Sequence, residues 1–396
     1  MAENLGLILS VIVLIVFLVI ALLLARLNIS RQAGKLVEVS PTLAFPFPQG
    51  LDLTQGLVAP TNVSREGMQS VIRRAYQEWQ ERYILSEKDP RRAFLRTGSE
   101  KRFLKYEYIS TSLGQGLALI NTLIMAGEDQ KAQVLFDRLL FSIIIRPSLD
   151  HEDLSSWQMT PDGRSAHLNA DLHAEAWIGF ATLAAYAQWK DSARVDYKVI
   201  AQAHLKALNT VLTGESMKPE EIVYAPYFIE AFAKTQPDQD WNQIASKLDT
   251  ATHNLISGAD AELVGDAANE DASLALQILN LGLARLHGAD EWDLRTRAAI
   301  ERIVRKAYTA LQEGLGEEST AFDYPRGFSR LALLSCCAPA SAALGDPDLV
   351  NNYWSLLENN LPGRNDPIGA SLRLLAMQAL AGNMWFAKVD WVGILV

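Results

Sequence analysis

After Ser64, apolar residues recur every three to four positions along most of the chain, the period of helices that bury one face. The spacing predicts twelve helices, at 64–84, 113–126, 130–144, 171–189, 192–213, 221–234, 240–256, 270–287, 291–313, 326–344, 347–359 and 366–382. Between them Gly, Pro, Asp and Asn cluster, as in Gly345-Asp346-Pro347-Asp348 and Pro362-Gly363-Arg364-Asn365-Asp366-Pro367, residue types that supply turn backbone and helix caps. Strand-period alternation is nearly absent, so the expected fold class is all-α. Pro339, inside 326–344, has no backbone donor and is expected to kink or split that helix.

The first forty residues follow another pattern. Leu5 to Ala25 contains no charged residue and no polar face, and 21 such residues make roughly 31 Å of helix, enough for a bilayer core. A cleavable signal peptide has a basic start and a small-x-small site. Here the start carries Glu3 and the run ends in Leu22-Leu23-Leu24 before Arg26, so an anchor that stays attached is expected. Pro41, Pro46, Pro48, Pro60, Gly50 and Gly56 then exclude a regular helix. The expected division is an anchor with a short N-terminal tail at 1–28, a Pro/Gly-containing stalk or surface strap at 29–63, and one helical domain at 64–396.

Twelve helices in sequence build either a solenoid or a closed double ring, the (α/α)6 barrel or six-hairpin toroid. A solenoid repeats its sequence at a fixed period, and none is visible, so the ring is expected. Ala-rich stretches such as Ala181-Thr182-Leu183-Ala184-Ala185 and Ala340-Ser341-Ala342-Ala343 suit inner helices, and a cleft would open at one end of the ring.

Charge narrows the partners. Arg26, Arg31 and Lys35 against Glu3 leave the first 35 residues at +2, so with −10 overall the remainder carries −12. An acidic domain without a basic run opposes polyanions, so no nucleic acid partner is expected. The two cysteines, Cys336 and Cys337, are adjacent on a helix and suit neither a disulfide nor a metal pair. No phosphate loop, spaced Cys pair or Ca²⁺ loop is present, so no cofactor is expected.

Several segments taken together resemble glycoside hydrolase family 8, which includes the endoglucanases of bacterial cellulose-synthesis operons. The resemblance runs from about Tyr76 to Trp385. Trp79 with Tyr83-Ile84 fits the family's opening helix. Ser112-Leu113-Gly114-Gln115-Gly116-Leu117-Ala118 is similar to its Ser-Glu-Gly-Gln-Gly-Tyr-Gly, and Phe136-Asp137-Arg138-Leu139 to its Phe-Asp-Arg-Leu. His173-Ala174-Glu175 through Trp189 matches Asp-Ala-Asp and the apolar helix after it. Tyr224-Ala225-Pro226 with Phe232-Ala233, Glu270-Asp271-Ala272, Tyr353 to Leu357 and Leu374-Leu375-Ala376 follow in family order.

The resemblance implies an inverting O-glycosyl hydrolase, a chemistry that needs one protonated carboxyl at the leaving oxygen and one carboxylate activating water. At the family's acid position stands Leu113, which can donate no proton. The two Asp positions of Asp-Ala-Asp hold His173 and Glu175. Only the family base position is kept, by Asp271, and the Arg expected three residues later is Leu274. General acid catalysis is worth roughly 10²–10⁴-fold, so hydrolysis is expected to be weak unless Glu107, Glu175 or His173 substitutes. Asp271 also reads as a first-turn acid favoured by the helix dipole.

Trp157, beside the Pro161-Asp162-Gly163 loop, is the expected cleft aromatic, with Gln115 and Tyr224 as further substrate-binding positions. His167 and Asp171, four apart, have metal-ligand spacing but no third ligand nearby, and capping of the next helix explains Asp171; no metal site is expected. The expectation is a membrane-held protein that binds a β-glucan-type polysaccharide, beside a synthase or export complex. Two rivals stand against it: an active endo-glycosidase with a relocated acid, and a scaffold subunit that kept only the fold. Arg26, Arg31 and Lys35 would place the domain in the cytoplasm by the positive-inside rule. The family resemblance places it outside, and because it covers most of the chain, an extracytoplasmic domain on the inner or plasma membrane is expected.

Overall fold

The structure is a computed structural model, and it describes residues 43–53, 56–87, 89–102, 105–160, 165–190, 192, 194–214, 217–219, 222–258, 272–289, 291–314 and 329–395. The chain divides into two compact units, Met1–Thr42 and Leu43–Val396. The apolar run 5–25 and Asp271 both lie outside the described residues. Among the described residues no helix is long and apolar enough to cross a membrane.

Twelve α-helices occur among the described residues: α1 (Arg65–Tyr83), α2 (Ser112–Ile124), α3 (Ala132–Ile144), α4 (Leu172–Trp189), α5 (Tyr197–Thr213), α6 (Pro226–Thr235), α7 (Trp241–Gly258), α8 (Ala272–Leu286), α9 (Leu294–Gly314), α10 (Arg330–Leu344), α11 (Pro347–Asn359) and α12 (Pro367–Leu380). The even-numbered helices pack each against the next, and α12 returns to α2, so six of them form a closed inner ring. The odd-numbered helices lie outside it, α1 on α12, α3 on α2, α5 on α4, α7 on α6, and α9 and α11 on α10.

The sequence explains this sorting. Every residue of α2 and α12 is buried, as is all of α4 except Leu172 and Tyr186, and a helix apolar all round has no face to give to water. In α1 the buried set Met68, Ile72, Ala75, Tyr76, Trp79 and Tyr83 follows a single stripe, as an outer helix requires.

Two expectations need correction. Helix α10 runs unbroken through Pro339. It packs between α8 and α12 and is buried along nearly its whole length, and that packing outweighs a proline cost of about 3 kcal/mol. The second concerns strands, which were expected to be nearly absent. Six short ones form: β1 (Ile84–Ser86) pairs with β2 (Ala93–Leu95), and β3 (Gly98–Arg102), β4 (Lys105–Thr111), β5 (Gln158–Met159) and β6 (Ser165–His167) make an antiparallel sheet in that order. Four of them have only two or three residues, too few for alternation to register, while β3 and β4 have five and seven.

The described part of 43–63 is a strap across the C-terminal ends of the inner helices. Backbone N–H groups of Ala44, Phe47, Leu51 and Val58 donate to the carbonyls of Gln188 (3.2 Å), Ala126 (2.7 Å), Gly382 (2.7 Å) and Ala342 (3.1 Å), at the ends of α4, α2, α12 and α10. Side-chain amides read the same strap. The Gln188 amide both accepts from Phe45 N–H (2.7 Å) and donates to its carbonyl (2.8 Å). Asn383 Oδ1 accepts from Gln49 and Gly50, and Asn351 Oδ1 from Thr61 and Asn62. Phe45 stacks on Trp385 with ring centroids 4.4 Å apart. Gly382 sits at φ +69°, where a side chain would run into the Leu51 backbone.

Candidate functional site

The opposite end of the ring gathers inner-helix N-termini. Thr111, Asp171, Ser329 and Asp366 cap α2, α4, α10 and α12 through their side-chain oxygens, each satisfying amides that the first turn leaves unpaired. Ser329 Oγ donates to Asp366 Oδ2 at 2.6 Å, so two neighbouring caps touch. At α2 and α4 the helices come together closely. A methyl group on Gly116 would lie 2.9 Å from Trp177 Cβ, so only glycine lets the two approach at that level. Strand β4 runs directly into α2, and β6 leads to α4, which places the four-stranded sheet at this same end.

Leu113, in the first turn of α2, is fully buried. His173, in the first turn of α4, is buried too. Trp177 Nε1–H donates to its Nε2 at 2.9 Å, and burial pushes its pKa down to about 4, so the ring is neutral with that nitrogen as acceptor. Asn280 of α8 places its Nδ2 3.4 Å from the same nitrogen and donates to the Tyr224 carbonyl at 3.0 Å. Gln277 completes the bridge, accepting from Tyr224 N–H (2.8 Å) and donating to Tyr224 O (2.9 Å). Tyr224 is therefore pinned by its backbone, and burial raises its phenol.

Glu175, one turn into α4, is fully buried. Burial pushes its pKa up to about 8, with Ser155 hydrogen bonding opposing the rise. Ser155 Oγ–H donates to Oε1 in a short hydrogen bond. His204 of α5 places Nε2 3.4 Å from Oε2 and 2.9 Å from the Glu175 carbonyl, and burial lowers its pKa as well. Carboxyl and imidazole are thus both neutral near pH 7.

Gln115 is fully buried and spends its amide on backbone, accepting from Leu95 N–H at 2.8 Å with Nε2 facing Ala93 O and Leu139 O. Trp157 is half-buried on the loop before β5, its ring 4.9 Å from the exposed His167 ring. Its backbone carbonyl accepts from Ser112 N–H and its N–H donates to Asn169 O, tying the loop to both helix starts. Glu107 lies on β4 in register with Glu100 of β3, while Asp271 immediately precedes α8. Among the described residues no three His, Cys, Asp or Glu side chains converge on a metal position.

No family model matches the chain. An endoglucanase from Bacillus sp. (strain KSM-330) is 28% identical over 163 residues, 40% of this chain and 34% of that protein. A beta-glucanase from Niallia circulans is 22% identical over 241 residues, 54% of each. The chain thus matches about a third and about half of these two relatives' lengths. The apo structure of a beta-1,3-1,4-glucanase from Paenibacillus sp. X4 superposes with TM-score 0.69 at 15% identity, covering 87% of this chain and all of that one. A cold-adapted family 8 xylanase in complex with substrate gives 0.62 at 15% identity, covering 82% and 94%. The chain is thus similar in sequence to these two glucanases and shares the fold of the beta-1,3-1,4-glucanase and of the family 8 xylanase.

Three of the four positions where the resemblance calls for acids hold groups without charge near pH 7, a buried Leu113, a neutral His173 and a protonated Glu175, while the fourth, Asp271, lies outside the described residues. Sequence reasoning missed Ser155, His204, Gln277 and Asn280. A partial signal existed for His204, because Gly179 sits four residues after Glu175 on α4. A methyl group there would lie 2.9 Å from His204 Cδ2, so the glycine makes room for the imidazole. The motif residue Asp137 serves packing: it is buried, accepts a short hydrogen bond from Tyr197 OH, and burial raises its pKa to about 6.

Proposed function

We propose that the chain binds a β-linked polysaccharide and hydrolyses it weakly or not at all. The observation that carries this is Leu113, fully buried at the position of the family's proton donor. Without a donor, a sugar alkoxide must leave unprotonated, and the loss is worth roughly 10²–10⁴-fold in rate. Glycan binding needs no such group, since stacking and hydrogen bonds suffice, and Trp157 supplies a half-buried aromatic at the helix-start end of the ring.

One observation favours an active enzyme with a relocated acid. Glu175 holds its proton to about pH 8, as a general acid must. The same burial keeps that proton away from an incoming sugar, which is why binding is the preferred reading.

Full-length protein in mild detergent should be retarded in native gels containing soluble mixed-linkage β-glucan or xylan, with reducing-sugar release at background. Robust release that disappears in Asp271→Asn overturns the non-hydrolytic reading, and absence of retardation with every glycan overturns binding. We further propose that residues 5–25 hold the chain in the inner or plasma membrane with the domain outside the cytoplasm, where a polymer synthase or exporter would present its product. The support is the charge-free run Leu5–Ala25. A reporter fused after Val396 and active only in the cytoplasm would reverse that orientation.

A further inference from the structure

We propose that the Glu175 carboxyl is a latch that holds the 147–160 loop, and Trp157 with it, against the first turns of α4, and that ionisation of this carboxyl opens it. Glu175 is a positioning residue in this proposal, since it is fully buried and acts through Ser155.

The geometry is that of a built site. Three elements meet at one carboxyl: α4 supplies it, the loop supplies Ser155 Oγ to its Oε1, and α5 supplies His204 3.4 Å from its Oε2. Gly179 clears the space that His204 occupies. The loop is fastened early by Leu149 N–H to Leu168 O at 2.8 Å and by Ala170 N–H to Asp150 Oδ2 at 2.6 Å, and late by Ser156 N–H to Arg146 O at 2.9 Å and the Trp157 backbone to Ser112 and Asn169. Arg146 in turn donates to the buried Glu87 carboxylate at 3.1 Å. Between those fastenings, Ser155 is held down by the Glu175 carboxyl.

Protonated, that carboxyl fits its surroundings, because Oε1 accepts from Ser155 and no charge is buried. Ionised, it becomes a buried charge whose Oε2 accepts no hydrogen bond among the described residues; Ser155 hydrogen bonding favours that form, but burial outweighs it. Among the described residues its ion-pair neighbour is His204, which burial keeps neutral. On its own helix the titratable neighbours are Asp171, whose charge opposes ionisation, and the neutral His173. From the loop and α5 come Asp153, His151 and His204, and burial keeps His204 neutral. Helix α2 carries no titratable side chain, and α6 meets α4 through Phe228 and Tyr227. The carboxylate is therefore relieved by admitting water where the Ser155 segment now sits. Because the solvated carboxyl ionises near 4.5 and the buried one near 8, opening becomes easier as pH rises towards 8 and levels off above it.

Hydrogen exchange read by mass spectrometry on the full-length protein tests the latch without any glycan. Protection factors for amides of 148–157, corrected for intrinsic exchange, should fall at least tenfold between pH 6.5 and 9.5 in the wild type. They should stay level in Glu175→Gln, which keeps the shape and cannot ionise. Ser155→Ala should show the loosened loop at every pH. A wild-type loop equally protected at pH 6.5 and 9.5 overturns the proposal, and so does a Glu175→Gln loop that follows the wild-type profile. The wild-type profile needs no variant to fold. A matching loss of glycan retardation above pH 8 is expected as well; that part rests on the polysaccharide-binding reading, and its failure alone would count against that reading and leave the loop measurement standing.

Discussion

Replacing Gly282 by Ala asks whether the inner ring is as tight as the geometry says. Gly282 of α8 faces Pro339 and Ala340 of α10, and a methyl group on it would lie 2.6 Å from Ala340 N, 2.9 Å from Pro339 C and 3.0 Å from Ala340 Cα. All three are backbone atoms, so no side chain can swing away. Restoring an ordinary contact requires the two helices to part by about 0.8 Å at their crossing, in an interior packed like a crystal. Such overpacking costs about 1–3 kcal/mol, while Ala gains back about 1 kcal/mol of helix propensity. The net expectation is a loss of up to about 2 kcal/mol, or at most roughly 4–8 °C in Tm on the scaling for domains somewhat smaller than this one. Thermal denaturation followed by circular dichroism measures it, with Gly363→Ala, which meets nothing within 4 Å, as the control expected to stay near wild type. A Gly282→Ala protein that melts above the wild-type temperature would show that propensity wins, and would refute the close crossing of α8 and α10.

Two further outcomes follow from the site and the strap. Because the folded Glu175 keeps its proton to about pH 8 while the unfolded carboxyl loses it near 4.5, the native state binds the extra proton between those values. Its contribution to stability therefore falls as pH rises through that window, at up to about 1.4 kcal/mol per unit, and is flat above it. Urea midpoints at pH 5 and pH 8 should show the Glu175→Gln protein gaining on the wild type at the higher pH, and an equal gap at both would remove the buried proton from the account. Gln188→Ala deletes both bonds of the Phe45 clip and leaves that backbone short of partners, a loss of about 1–3 kcal/mol. Limited proteolysis near Phe45 should quicken, and an unchanged cleavage rate would mean that the amide clip contributes little.

The ring was legible because its two shells differ in composition. Helices such as α4, without a charged residue from Ala176 through Trp189, announce burial, and the single stripe of α1 announces an outer position. Leu113, His173 and Glu175 were legible through the resemblance, by place in the chain. Their chemistry was not. The proton that Glu175 keeps depends on Ser155, twenty residues earlier, and on His204 from another helix. His173 owes its tautomer to Trp177 and its surroundings to Asn280, 107 residues away. Trp177 is local, one turn on, and Gly179 gives a partial signal for His204, but Ser155 and Asn280 sit in no local pattern that marks them. The short strands escaped for a related reason: Ala93-Phe94-Leu95 is buried on both faces and reads the same as a scrap of buried helix.

The strap also moves the border of the smallest piece able to fold alone. Helix periodicity places that border at Ser64, where α1 is capped. A chain cut there would leave Gln188, Asn351 and Asn383 facing water with the partners of their amides gone, Trp385 without the ring stacked on it, and carbonyls at the ends of four inner helices uncovered. In folding terms the first element of the barrel is an extended peptide, and the self-sufficient unit starts no later than Leu43.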